Sequence, residues 1–168
     1  MPSTYTLISS NVLSSSAASV TFSAIPGTYT DLVLKISNRT NDTGVGNGFT
    51  LTYNASFTNY SNTGIYGDGS TTASNRTSTS GMMWVNGSTE TSNTFASVEL
   101  YVPNYAGSTY KPSSNFAAME NNAAATTYIG AQARLWSDTA AITSMTLTPS
   151  VGSWVSGSSF YLYGIKSS

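Results

Sequence analysis

The stretch Ser97-Val-Glu-Leu-Tyr-Val-Pro-Asn-Tyr-Ala-Gly-Ser-Thr-Tyr-Lys-Pro112 decides the fold class, because a strand pattern in it runs directly into a turn. Across residues 98–102, aliphatic side chains alternate with Glu99 and Tyr101, and this period of two residues is typical of a half-buried strand. Pro103 has a fixed φ and no N–H to donate, so pairing is expected to stop there. The stretch therefore predicts a β-strand followed by an aromatic loop.

The loop after this strand presents two tyrosines. Asn104, Gly107 and Ser108 supply turn chemistry around Tyr105, and Tyr110 follows. Two interpretations fit this arrangement. Either the strand delivers both tyrosines to an exposed edge that suits recognition or assembly, or the loop folds back and its tyrosines cover the core.

Outward from this stretch, the same period of two recurs along the chain, and no long helical pattern interrupts it. It predicts strands at residues 5–9, 19–22, 29–37, 49–53, 82–85, 95–102, 114–120, 128–136, 142–148 and 160–165. Many short strands with turns between them indicate two antiparallel sheets packed face to face. We therefore predict an all-β antiparallel sandwich, most simply a jelly roll, with an immunoglobulin-like sandwich as the alternative.

Local patterns add three expectations about how these strands are used. Asn86-Gly87 is a hairpin turn signal that would join its two flanking strands. In the strand at 128–136, Ile129 shares the apolar face, whereas Arg134 is on the other face and is expected to protect an edge and aid solubility. Residues 54–80 form a polar excursion with one or two short strands, of the kind that serves function or lies against a neighbour.

Length and composition limit the class of protein. At 168 residues the chain is expected to form one domain, residues 1–168. Charged residues make up only 8% of it, against about 25% in ordinary globular domains. The formal net charge is -1 and the basic residues are scattered, so no electrostatic footprint for nucleic acid or an anionic membrane is present. A surface with so little charge suits a protein that is part of an assembly, but a well-hydrated polar surface explains the same composition.

The chain contains no cysteine and no histidine. This excludes disulfides, thiolate and imidazole metal ligands, and every Ser-His arrangement. We predict no enzyme activity and no cofactor, although distant carboxylates brought together by the fold would leave a glycan-cleaving pair open. Residues 38–47, with Asp42, are either a calcium loop built from oxygen ligands or a solvated loop, and they lack the spacing of an EF-hand.

Aromatic residues supply the candidate contact sites. Trp84, Trp136 and Trp154 either fill the sandwich or act as platforms for sugars, and Trp136, at a strand end, is expected to be the most exposed of the three. Partner-interface candidates come from the aromatic loop, the polar excursion and this strand end. They are Tyr60, Tyr66, Tyr105, Tyr110 and Trp136.

Several segments resemble a group of small virion proteins encoded by tailed bacteriophages, especially those of cyanobacteria and other aquatic bacteria. The matching segments are Tyr5-Thr-Leu-Ile-Ser9, Ile25-Pro-Gly-Thr-Tyr-Thr-Asp-Leu-Val-Leu-Lys35, Tyr101-Val-Pro-Asn-Tyr-Ala-Gly-Ser-Thr109, Leu135-Trp-Ser137, Ala141-Ile-Thr-Ser-Met-Thr-Leu147 and Leu162-Tyr-Gly-Ile-Lys-Ser167. They carry strands and turns rather than chemistry. The resemblance implies a β-sandwich virion component and no enzyme.

Two roles follow from this resemblance. One is a capsid decoration (cement) protein that forms a trimer and bridges subunits of the major capsid protein on the outer capsid surface. The other is a tail-fibre or receptor-binding module that recognises host surface glycan. Because the β pattern begins by Thr4, with no heptads or shaft before it, we expect the decoration role.

Overall fold

The protein is an antiparallel β-sandwich in a computed structural model that describes residues 4–122 and 127–166. Its strands form one sheet of eight and one of four, and all paired strands run antiparallel to their neighbours. Within the described residues there is no helix. The predicted all-β antiparallel sandwich is confirmed.

Twelve strands fall within the described residues, and all ten predicted segments overlap one of them. They are β1 (Tyr5–Val12), β2 (Val20–Phe22), β3 (Asp31–Asn38), β4 (Asn47–Tyr53), β5 (Tyr60–Gly67), β6 (Thr72–Thr77), β7 (Gly81–Val85), β8 (Ala96–Pro103), β9 (Lys111–Met119), β10 (Tyr128–Trp136), β11 (Met145–Pro149) and β12 (Ser159–Ile165). The polar excursion at 54–80 supplies the two additional strands, β5 and β6.

Eight of the strands pair in a nested order, the first with the last. β1 pairs with β12, β2 with β11, β3 with β8, and β4 with β7. The β1–β12 and β3–β8 pairs lie in the larger sheet, and the other two pairs form the smaller sheet. Two further hairpins extend the larger sheet past β8, in the order β9, β10, β5 and β6. One face of the larger sheet packs on the smaller sheet, and no other sheet of the described residues covers its opposite face.

This order corrects the hairpin predicted at Asn86-Gly87. β7 lies in the smaller sheet and β8 in the larger, so the two strands do not pair. The chain between them is held instead by the Arg39 guanidinium, which donates hydrogen bonds to main-chain carbonyls within residues 88–94. A turn signal is local, whereas this connection crosses from one sheet to the other.

The core lies between the two sheets, and a group of aromatic rings packs inside it. Trp154 is fully buried and makes edge-on contacts with Phe49 of β4 and Phe160 of β12, with ring centroids 5.6 and 5.3 Å apart. Because β4 and β12 belong to different sheets, this tryptophan joins both layers. Trp154 fills the sandwich, which is one of the two roles predicted for it.

The face that β10 buries is opposite to the predicted one. Gln132, Arg134 and Trp136 point into the core, whereas Ile129 and Ala131 are exposed. β10 is also an interior strand, paired with β9 on one side and β5 on the other. Arg134 therefore has no role in protecting an edge, and its charge is accommodated inside the sandwich.

Candidate interaction surface

Three of the five candidate interface residues lie in the core. Tyr105 is 0%, Trp136 1% and Tyr60 4% exposed. The expectation that Trp136 is the most exposed tryptophan is therefore wrong, the exposed-edge interpretation does not hold for Tyr105, and none of the three presents its ring to a partner. Burial follows from their position on or beside strands that face the smaller sheet, where a large ring fills space that smaller side chains would leave empty.

Tyr105 covers the core beneath its own loop, as the second interpretation of that loop predicts. Its hydroxyl donates a hydrogen bond to the carbonyl oxygen of Pro26. Lys111 stabilises the loop, because its buried ammonium donates hydrogen bonds to the carbonyl oxygens of Gly107, at 2.7 Å, and Thr109. Burial lowers the pKa of Lys111. The nearby Asp138 carboxylate opposes this shift.

Tyr110, in contrast, is 55% exposed at the end of this loop. Of the two tyrosines of this loop, it is the one that remains exposed. Its role as an interface residue stays a prediction.

Tyr60 and Trp136 belong to a buried aromatic cluster around a charged group. Their rings stack with centroids 6.3 Å apart. The guanidinium of Arg134 lies 4.4 Å from the centroid of Tyr60 and 5.1 Å from that of Tyr53, and it donates a hydrogen bond to the Leu51 carbonyl. Cation–π contacts of this kind strengthen when they are shielded from water. The cluster joins β10 to the smaller sheet and is structural.

The uncovered face of the larger sheet carries an apolar patch that the predicted site residues did not include. Ile65, Phe116 and Ile129 are 63%, 51% and 54% exposed. Ile65 and Phe116 lie directly opposite Ala131, one on each side of it, and Ile129 precedes Ala131 by two residues on the same strand. Three large side chains therefore surround a small one. We call these four residues the open-face patch.

The open-face patch lies around a shallow groove of about 600 Å³. No charged residue lines the groove, and residues of β6, the free edge strand of the sheet, form one of its sides. On the other side, Phe116 lies opposite Glu99, which forms an exposed ion pair with Lys35 at 2.9 Å. An apolar centre with a polar border is the composition of a protein interface.

Sequence reasoning misses the open-face patch because an exposed apolar face and a buried one have the same alternating pattern. A signal was present in β10. Trp136 is in phase with Gln132 and Arg134, and a tryptophan is a costly residue to leave in water. Placing Trp136 inward would have placed Ile129 and Ala131 outward.

Tyr66, the fifth candidate, is half-buried on the face of the larger sheet that turns toward β7. It contacts Trp84 and Tyr128 edge-on, with ring centroids 5.4 and 6.1 Å apart. Tyr66 is thus part of a separate aromatic group on the opposite side of the sheet from the open-face patch.

In the loop at 38–47, the acidic side chain, Asp42, is hydrogen-bonded within the loop itself. The Asn47 amide donates a hydrogen bond to the Asp42 carboxylate. Across residues 4–122 and 127–166, no group of three His, Cys, Asp or Glu side chains is arranged to hold a metal ion. In the same ranges, no helix has the length and apolarity needed to cross a membrane.

Comparison with known proteins adds no family to this geometry. No protein-family model matches the chain, and no curated protein is significantly similar to it. The function is therefore argued from the surfaces themselves and from the short segments quoted above.

Proposed function

We propose that this chain is a structural virion protein that decorates the outer capsid surface of a tailed bacteriophage. The observation that carries the proposal is the open-face patch, which is an exposed, uncharged and apolar surface. The chain as a whole is also poor in charge. Large exposed side chains grouped on one sheet face mark a surface that is covered by another protein. On this proposal the open-face patch contacts the major capsid protein.

The nested strand order supports a jelly roll as the form of the sandwich. Pairing of first with last, second with second-last, and so on inward is what results when one long antiparallel hairpin is rolled into two sheets. An immunoglobulin-like sandwich instead places its first and last strands in different sheets, whereas β1 and β12 pair here. The jelly roll also agrees with the family that the short segments resemble.

The mechanism proposed for stabilisation is multivalency. Three copies would associate around a threefold axis, so that one trimer grips several capsid subunits at once. Each contact through an open-face patch can then be weak, because the second and third contacts form at high effective concentration. Separating two capsid subunits would require breaking these contacts together.

Binding to capsids that lack the chain tests the proposal. Purified protein is mixed with such capsids, and the bound fraction is measured by co-sedimentation for the wild type, Phe116→Thr and Phe57→Thr. Phe57 is a matched control because it is 72% exposed on a loop outside the open-face patch. We expect the wild type and Phe57→Thr to bind, and Phe116→Thr to bind about tenfold more weakly. Equal binding by all three proteins would remove the open-face patch from the interface.

A further inference from the structure

A second cleft opens on the opposite face of the larger sheet, where β10, β5 and β6 extend alongside β7. It has a volume of about 380 Å³, within the roughly 300–1,000 Å³ of small-ligand sites. Tyr66, Trp84 and Tyr128 form one wall of it, and Asn75, Thr77 and Gln132 contribute amide and hydroxyl groups. We call it the aromatic cleft.

The aromatic wall is held in one arrangement. The rings of Trp84 and Tyr128 are nearly parallel, 10° apart, with centroids separated by 5.1 Å. Two glycines make room for them: a Cβ on Gly130 would lie 2.7 Å from the Trp84 ring, and one on Gly46, whose φ is +70°, would overlap the Tyr128 ring. The rings therefore lie close against main chain, and each remains half-buried.

The polar groups of the aromatic cleft are also positioned by the fold. Gln132 is buried on β10, and its Oε1 accepts a hydrogen bond of 2.7 Å from Asn115 Nδ2. Its own amide nitrogen lies 3.5 Å from the carbonyl oxygen of Gly81, a long contact that leaves this donor able to bond a ligand. Asn75 is on the exposed edge strand β6, with its side chain at the cleft.

These features together define the ligand chemistry. Aromatic faces select a ligand with an apolar face of its own, and amides and hydroxyls select one rich in hydroxyl groups. No Asp, Glu, Lys or Arg lines the aromatic cleft, so an anionic or cationic ligand would find no counter-charge there. A pyranose ring combines one C–H face with equatorial hydroxyls and no charge.

We propose that the aromatic cleft binds a neutral hexopyranose unit of a polysaccharide. Without a carboxylate pair in its lining, the cleft would bind the sugar and leave the glycosidic bond intact. Of the tryptophans predicted as sugar platforms, Trp136 is buried, whereas Trp84 lies in the lining of this cleft. The inference does not depend on the capsid role, since the aromatic cleft and the open-face patch are on opposite faces.

Saturation-transfer NMR on the purified chain tests this site directly. The probes are methyl α-glucoside, methyl β-galactoside and methyl α-mannoside, with glucuronic acid as the charged comparison. We expect at least one neutral glycoside to bind, with affinity reduced about tenfold in Trp84→Leu and about threefold in Asn75→Ala. Tyr110→Ala, which removes an exposed ring outside the cleft, should bind as the wild type does.

The proposal is overturned if no neutral glycoside binds at concentrations up to about 10 mM, if glucuronic acid alone binds, or if Asn75→Ala binds as tightly as the wild type. Asn75 is exposed on an edge strand, so its variant keeps the test decisive even where Trp84→Leu fails to fold. Because no capsid is present in this experiment, a negative result leaves the capsid-binding proposal intact.

Discussion

The guanidinium of Arg134 lies 4.4 Å from the ring centroid of Tyr60, inside the core of the sandwich. Burial lowers the pKa of Arg134, yet arginine keeps its charge at every physiological pH. The charge is balanced by two tyrosine faces and the Leu51 carbonyl rather than by a carboxylate. Removing this side chain leaves a cavity in the core and leaves the Leu51 carbonyl without its hydrogen-bond donor. Both changes destabilise the folded state.

We therefore predict that Arg134→Ala lowers the free energy of unfolding by about 3–5 kcal/mol. Arg134→Met, which retains most of the volume, should cost less. The matched control is Arg76→Ala, because Arg76 is exposed on β6, and we expect a change below about 0.5 kcal/mol. Urea unfolding of the three variants measures this. Similar values for Arg134→Ala and Arg76→Ala would contradict the structural role.

Tyr105 and Tyr110 should behave oppositely although they belong to one loop. Tyr105→Phe removes only the hydroxyl that donates to the Pro26 carbonyl, so it should cost about 1–2 kcal/mol of unfolding free energy. Tyr110→Phe should cost nothing measurable, because its ring is exposed. Thermal unfolding of the two variants compares them. A larger loss for Tyr110→Phe would show that the loop is arranged differently.

Stability should depend on pH through Glu90, whose side chain is buried near residues 39–46. Burial raises the pKa of this carboxyl above its ordinary value of 4.5, against the opposing effects of the Gly87 N–H, the Arg39 charge and the Gly46 N–H. The folded state therefore binds this proton more tightly than the unfolded state. Its contribution to stability is fully present below about pH 4.5 and is lost as pH rises through the folded-state value.

Glu90→Gln removes this titration while keeping the shape of the side chain. We expect the wild type to lose more unfolding free energy than Glu90→Gln between about pH 4 and pH 7. Denaturant unfolding at several pH values measures the difference between the two proteins. A difference that stays constant over this range would show that Glu90 does not titrate differently on folding.

Phe116→Thr should leave the fold intact while it weakens association. Phe116 points to solvent from the middle of β9, and threonine suits a strand, so the unfolding free energy should change by less than about 1 kcal/mol. Leu100→Ala, at a buried position on β8, should cost about 3 kcal/mol. Circular dichroism during urea unfolding measures both. A loss for Phe116→Thr as large as that for Leu100→Ala would mean that this ring supports the core.

The strands were predictable because a period of two residues depends only on neighbouring side chains. The pairing was not, since β1 pairs with β12 at the other end of the chain and no local pattern records that partner. The same limit applies to the surfaces. The alternation in β10 does not say which face is buried, and in the structure the buried face carries Arg134, which lies beside the rings of Tyr53 and Tyr60.

The candidate site residues also depend on the three-dimensional arrangement of the strands, which the sequence pattern does not show. The sequence places Tyr105 and Trp136 near strand ends, yet both rings fill the core, where large rings are most stabilising. Tyr66 stays a prediction as an interface residue, and its ring neighbours Trp84 and Tyr128 come from strands distant in the sequence. A group of rings contributed by β5, β7 and β10 exists only once the sheets are assembled.

The copy number of the chain in a purified virion tests the central claim most directly. Quantitative gel analysis, normalised to the major capsid protein, measures it. A decoration protein that contacts capsid subunits across the whole lattice must be present in hundreds of copies, and this is the result that we predict. A number from a few to about eighteen would place the chain on the tail and would contradict the capsid role.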